Sequence, residues 1–175
     1  DWAVEATGAE FIALNPLHAI HNRQPFNTSP YLPNCIYYRN PIYLDVERVA
    51  GFAASQRAGL ELKSAETRAE LEALRQAEFV EYERVWSIKK RFLLWAFLEF
   101  VKILRDGSPA AEPFRAFMTG EGERLDRYAV YCALDEWIHA RNPDVWTWQD
   151  WPAAYRDPDS PEVADFERRH QLRIT

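Results

Sequence analysis

Residues 8–19 read GAEFIALNPLHA, and the reading of this stretch decides the fold. Residues 3–9 have helical character that ends at Gly8, since glycine accepts the positive φ of a helix C-cap. Residues 11–14 then form a short, continuously apolar run that Asn15-Pro16 stops. A helix, a glycine turn and a buried strand make one step of a parallel α/β unit. Only one such step occurs in 175 residues. A closed (β/α)8 barrel needs about 250 residues and eight strands, so any barrel is expected to lie mostly outside this chain. The opening DWAVEATGAE, without an initiator methionine, reads as a helix already under way and as part of a longer protein.

Working outward, residues 17–40 are dense in Pro, Asn and Tyr without a period, and they read as a structured loop. Residues 40–47, NPIYLDVE, alternate in character, and Pro41 limits them to an edge strand or a strand start. From Ser64 the pattern turns helical. Ser64 is the expected N-cap of AETRAELEALRQAE. A longer helix carries Tyr82, Trp86, Leu93, Phe97, Phe100 and Leu104 at helical spacings, with a second stripe of Val85, Ile88, Phe92 and Trp95. Gly107 ends it. A third helix spans residues 122–141 with Leu125, Tyr128, Ala129, Cys132 and Trp137 expected inward, and a fourth begins at DSPE, where Asp159 or Ser160 caps and Pro161 fits the first turn.

Composition narrows the function classes. Hydrophobic residues at 47% and charged residues at 27% fit a folded domain rather than a disordered one. The net charge of −6 argues against nucleic acid, whose phosphates need a dense basic patch. The most apolar run, FLLWAFLEFV, is far short of the roughly twenty residues that span a bilayer. Cys35 and Cys132 sit in unlike contexts and form no C-x-x-C, so neither a disulfide framework nor a zinc site is expected, and a reducing cytoplasm is.

Each candidate chemistry has a plainer rival. Glu81 and Glu83 point to different helix faces, as do Asp135 and Glu136, and all four read as solvated. His18, His21, His139 and His170 are scattered, so no metal is expected. No P-loop, G-x-G-x-x-G or G-x-S-x-G occurs, and no cofactor is expected. Cys35 reads as a small loop thiol rather than a nucleophile. Trp146, Trp148 and Trp151 in VWTWQDW offer a stacking platform for sugars, but a clamp on the loop between two helices is the preferred reading. Residues 29–31, Ser-Pro-Tyr, place a hydroxyl and a phenol on proline-stiffened backbone just after the apolar run. Ligands of α/β folds sit at the C-terminal ends of strands, which moves Tyr31 from core filler to ligand contact.

These motifs taken together resemble the 4-α-glucanotransferases, also called amylomaltases or disproportionating enzymes. The resemblance rests on GAEFIALNPLHA, SPYLP and RNPIYLDVE in order, then on Tyr82, Val85 and Lys89 in a helix resembling V-x-Y-x-x-V-x-x-x-K, then on LDRYAVYCALDEWI and WQDWPAAYRDPDSPEVADF. It implies an α/β parent fold, a (β/α)8 TIM barrel with helical subdomains in its loops. It also implies a cytoplasmic enzyme that moves α-1,4-glucan segments between maltooligosaccharides by retaining, two-carboxylate chemistry. In the family the Ser and Tyr of Ser-Pro-Tyr lie beside the bound glucan, which carries over to Ser29 and Tyr31 as substrate-binding residues. Two departures stand out. Relatives often follow Ser-Pro-Tyr-x-Pro with two small hydroxyl residues and Arg, where Asn34, Cys35, Ile36 and Tyr37 stand here. The Gly-Asp-Leu-Pro, Glu-Asp-Leu-Gly and His-Asp motifs are absent, and the Arg-Leu-Asp at residues 124–126 lies in a helical segment rather than at the family's nucleophile position. No catalytic residue is therefore assigned in this chain.

The expected fragment is mainly α, with one barrel strand and an inserted helical subdomain. Residues 1–47 form a partial barrel segment bearing the substrate loop, and residues 48–175 form the helical subdomain. Its partners are α-1,4-glucans and the rest of the same polypeptide's barrel. The rivals are a free-standing helical protein-interaction module and a separate carbohydrate-binding module.

Overall fold

Helical periodicity, rather than strand pairing, organises most of this chain. The computed structural model describes residues 2–23 and 28–174. Residues 24–27, inside the loop expected over 17–40, and the two terminal residues lie outside the described residues. The first helix, α1 (Trp2–Thr7), ends where expected: Gly8 takes φ +67° and its N–H donates to the Val4 carbonyl at 2.9 Å.

The apolar run at residues 11–14 is not a strand here, which corrects the expected barrel strand. A parallel strand draws its hydrogen bonds from strands on both sides. The sheet found among the described residues is a two-stranded one that does not include the run. Phe11 is accordingly 82% exposed and Leu14 73%.

That small sheet lies inside the segment expected to be loop. β1 (His18–Ala19) pairs antiparallel with β2 (Cys35–Arg39), His18 opposite Arg39 and Ala19 opposite Cys35, with an irregularity between His18 and Ala19. β2 reads CIYYR, the β-branched and aromatic composition that suits a pleated surface. The expected strand in NPIYLDVE is instead two 3-10 turns, Pro41–Tyr43 and Val46–Arg48. Asn40 is the cause of the first. Its side-chain oxygen accepts from the Ile42 N–H at 3.0 Å, and Pro41 at the first position has no N–H to offer a ladder.

Residues 1–99 form one compact unit and residues 100–175 a second. In the first, α2 (Gln56–Leu62) and α3 (Ala65–Gln76) start on serine caps. Ser55 Oγ accepts from the Ala58 N–H at 3.3 Å, and Ser64 Oγ accepts from the Thr67 N–H at 3.1 Å, the latter as expected. α4 (Tyr82–Arg105) follows. Its second apolar stripe is the buried one: Ile88, Phe92, Trp95 and Ala96 pack with Phe52 and Ala58. Phe92 meets Phe52 at 6.1 Å and stands edge-on to Trp95 at 5.2 Å. Lys89, one position from Ile88, donates from Nζ to the carbonyls of Ile42 at 2.6 Å and Leu44 at 2.7 Å. This ties the first 3-10 turn to α4 across 47 residues of sequence.

In the second unit, α4 ends before Gly107, at φ +65°, and a helix that the sequence reading passed over, α5 (Glu112–Glu121), precedes α6 (Glu123–His139). The inward face of α6 is Val130, Ala133, Leu134 and Ile138, rotated from the expected one. Leu125, Tyr128, Ala129, Cys132 and Trp137 are half-buried along its flank. Asp135, expected in solvent, is 2% exposed. α7 (Pro161–Arg169) begins on Ser160, whose Oγ accepts from the Val163 N–H at 3.2 Å and donates to the Ala154 carbonyl at 2.7 Å. Val163 and Phe166 of α7 complete the core with Val145 and Trp151, and α8 (Gln171–Ile174) adds Ile174 at its edge.

Two measurements check this architecture. Lys89→Met leaves the Ile42 and Leu44 carbonyls without their charged donor and should cost about 1.5–3 kcal/mol in denaturant unfolding. A midpoint unchanged from the wild type would show that water serves those carbonyls equally well. Ser160→Ala removes a cap and a loop tie together and should cost about 1–2 kcal/mol, with the loss read as a lower midpoint at constant m-value.

Candidate functional site at the tyrosine loop

The Ser-Pro-Tyr segment is a tight turn whose shape follows from its residues. Pro30 fixes its own φ, and Ser29 bonds forward over it. The Ser29 carbonyl accepts from the Leu32 N–H at 3.1 Å, and Ser29 Oγ accepts from the Tyr31 N–H at 3.3 Å. Tyr31 projects from this turn with 69% of its surface exposed, while Ser29 is half-buried. The phenol O–H donates to Asn15 Oδ1 at 3.0 Å, sixteen residues earlier in the chain. An exposed ring held at both its backbone and its hydroxyl presents a fixed face, the arrangement that suits stacking against an amphipathic ligand.

Asparagines hold the loop around this ring, and the sequence reading did not see them as a group. The Asn34 N–H donates to the Ala19 carbonyl at 2.8 Å, and Asn34 Oδ1 accepts from the His21 N–H at 2.7 Å. The Asn40 N–H donates to the Leu17 carbonyl at 2.9 Å. Asn40 Nδ2 donates to Asn22 Oδ1 at 2.6 Å, and both residues are buried. The available signal was the residue type itself: asparagine serves turns by bonding nearby backbone. Asn34 thus has a structural role at the position where the sequence departs from its relatives' pattern. The neighbouring Ile36 and Tyr37 are exposed on β2, and Cys35 is a half-buried free thiol.

The other candidates separate. Trp151 is 3% exposed and stacks on Tyr131 at 5.4 Å, which is packing, whereas Trp146 and Trp148 remain exposed. Their loop is braced by Asp150, whose Oδ2 accepts from the Thr147 N–H at 3.1 Å and from Thr147 Oγ1 at 3.3 Å. Glu81, just before α4, pairs with Arg84 in its first turn at 2.8 Å. The Arg124-Leu125-Asp126 triplet lies in the opening turns of α6, with Asp126 exposed. His18 is on β1, His139 ends α6, and the His170 ring lies 4.4 Å from Phe166. Among the described residues no three His, Cys, Asp or Glu side chains gather in a metal-holding group. No helix among them is long and apolar enough to cross a membrane.

Lys89 and Arg127 titrate away from the ordinary values of their types. Partial burial lowers the Lys89 pKa from the ordinary lysine value, and the Asp45 carboxylate opposes that shift. Arg127, on the open surface, is raised by its hydrogen bond to Glu123 and by the charge of Asp159. The first unit also holds a cavity of about 560 Å³ between the second 3-10 turn, α3 and α4. Its wall is chiefly apolar, with Phe52, Leu71, Leu74, Phe79 and Ile88 among its residues.

Comparison with known proteins places this sequence in a family. A family model described as 4-alpha-glucanotransferase, glycoside hydrolase family 77, matches residues 1–175. This is a TIM-barrel family. Proteins named 4-alpha-glucanotransferase from Mycobacterium tuberculosis and Mycobacterium bovis are 31% identical over 175 residues, covering 97% of this chain and 22% of theirs. One of the same name from Haemophilus influenzae is 27% identical over 138 residues, covering 76% of this chain and 19% of its own. The chain thus spans about a fifth of the length of the curated relatives it matches. With the family model matched from the first residue to the last, the chain belongs to the 4-alpha-glucanotransferase family.

Proposed function

We propose that this chain is a segment of an enzyme that transfers α-1,4-glucan pieces between maltooligosaccharides, and that it supplies glucan contacts through Ser29 and Tyr31. The observation that carries the reading is Tyr31 itself. Its ring is exposed, its backbone is held by the Ser29 turn and its hydroxyl is held by Asn15. A core tyrosine would be covered, and a tyrosine on a mobile surface loop would lack both ties.

In the whole enzyme the reaction is a retaining double displacement, in which a carboxylate holds the donor glucan and a second glucan's hydroxyl takes water's place as acceptor. The residues of this chain bind and orient. The acids belong to motifs that its 175 residues do not contain. Residues 1–47 belong to the barrel with the substrate loop, and residues 48–175 form an inserted helical subdomain. The partners are α-glucans, not nucleic acid or a membrane. The setting is the cytoplasm, which two cysteines outside any disulfide suit.

Tyr31→Ala in the full-length protein should raise KM for maltotriose about 3- to 10-fold while the melting temperature stays within about 2 °C. A large fall in melting temperature with normal kinetics would make Tyr31 a packing residue. Residues 1–175 expressed alone should release no glucose and no longer maltose-series products from maltotriose. Products from that purified segment would place the catalytic acids within it.

A further inference from the structure

We infer that Asn15 is a positioning residue that makes the Tyr31 phenol an obligate hydrogen-bond acceptor toward a glucan hydroxyl. The inference rests on the reading of Tyr31 as a glucan contact and goes beyond it by assigning the polarity of that contact. A phenol has one proton to donate and lone pairs with which to accept. On an exposed tyrosine with no partner, the proton rotates and the group offers either role. Here the proton is committed to Asn15 Oδ1 at 3.0 Å, so the oxygen faces a ligand with lone pairs only. Sugar hydroxyls are donors as well as acceptors, and this arrangement selects their donor side.

The backbone is held near both ends of the bond, which makes the polarity a property of the fold. Asn15 precedes Pro16, whose ring restricts the backbone of the residue before it. Two residues on, the Leu17 carbonyl is held by the Asn40 N–H at 2.9 Å. Tyr31 is held by the Ser29 turn, with bonds to its own N–H and to that of Leu32. Asn15 and Tyr31 are both exposed, so their bond adds little to stability. Affinity and stability can therefore be read apart.

The test uses the full-length protein, maltotriose as substrate, and steady-state kcat and KM beside melting temperature. Asn15→Leu, which removes the acceptor, should raise KM about 3- to 10-fold with kcat changed less than the KM and the melting temperature held. Asn15→Asp keeps an acceptor oxygen at the same reach and should restore KM to within about two-fold. Tyr31→Phe, which removes the oxygen altogether, should raise KM at least as much as Asn15→Leu, and the double variant should be no worse than Tyr31→Phe alone. Additive losses in the double variant, or an Asn15→Asp protein as impaired as Asn15→Leu, would overturn the assignment. A normal KM in Asn15→Leu beside a raised KM in Tyr31→Phe would also overturn it while leaving the glucan contact standing. A normal KM in Tyr31→Ala would remove that contact itself, and this inference with it.

Discussion

The ammonium of Lys89 is the point from which the candidate site is built. It reaches from α4 to the carbonyls of Ile42 and Leu44, 47 and 45 residues away in sequence. A charged donor on two backbone acceptors outweighs an ordinary neutral bond, at about 1.5–3 kcal/mol. Its consequence is positional. With the first 3-10 turn held on α4, Asn40 at the head of that turn is held too. Asn40 then bonds in three directions: to Ile42 within the turn, to Asn22 across the loop, and to Leu17 on the other side of β1. One lysine and one asparagine thus carry the rigidity of a 24-residue helix into a loop with little regular structure of its own.

Rigidity of that kind is what an exposed aromatic needs in order to bind. A ring that must be ordered on binding gives up part of its contact energy to lost rotamer freedom, a cost that preorganisation removes. Tyr31 has its backbone fixed through Ser29 and its hydroxyl fixed through Asn15 before any ligand arrives. The exposed Tyr37 and Ile36 lie on β2, which is anchored through the Ala19 pairing and the Asn34 bonds. The tryptophan loop follows a different logic. Trp151 is spent on the core stack with Tyr131, and the brace at Thr147 and Asp150 keeps the turn between Trp148 and Trp151 compact.

What was legible in the sequence divides along the range of the interactions. The cap at Ser64 and the stops at Gly8 and Gly107 follow from residues within four positions and were readable, while the cap of α7 was readable as Asp159 or Ser160 and proves to be Ser160. The apolar stripes located α4 and α6, yet periodicity alone mistook the phase of α6, because a helix with apolar residues on several sides has no single marked face. The buried Asp135 was missed for a related reason: a charged residue reads as solvated unless its surroundings are known. NPIYLDVE alternates as a strand does, but the Asn40 side chain and the missing N–H of Pro41 decide for a 3-10 turn. At the site, Ser29 and Tyr31 stood out by residue type and resemblance, whereas the side-chain bonds Asn15–Tyr31, Asn22–Asn40 and Asn34–His21 link positions 13 to 18 apart and left no local pattern.

The same distinction accounts for residues 11–14. A helix satisfies its backbone from residues four positions away, so α3, α4, α6 and α7 form from information carried within each of them. A parallel strand takes its partners from segments remote in sequence, joined by crossovers of a dozen residues or more. Residues 11–14 have the composition of such a strand, and among the described residues they have no ladder partner. Their apolar side chains therefore stand in the open, while Asn22, Asn34 and Asn40 in the segment that follows are held by hydrogen bonds. The bonds Asn15–Tyr31, Asn22–Asn40 and Ile42–Lys89 join residues that all follow residues 11–14, so none of them draws on the unpaired strand sequence.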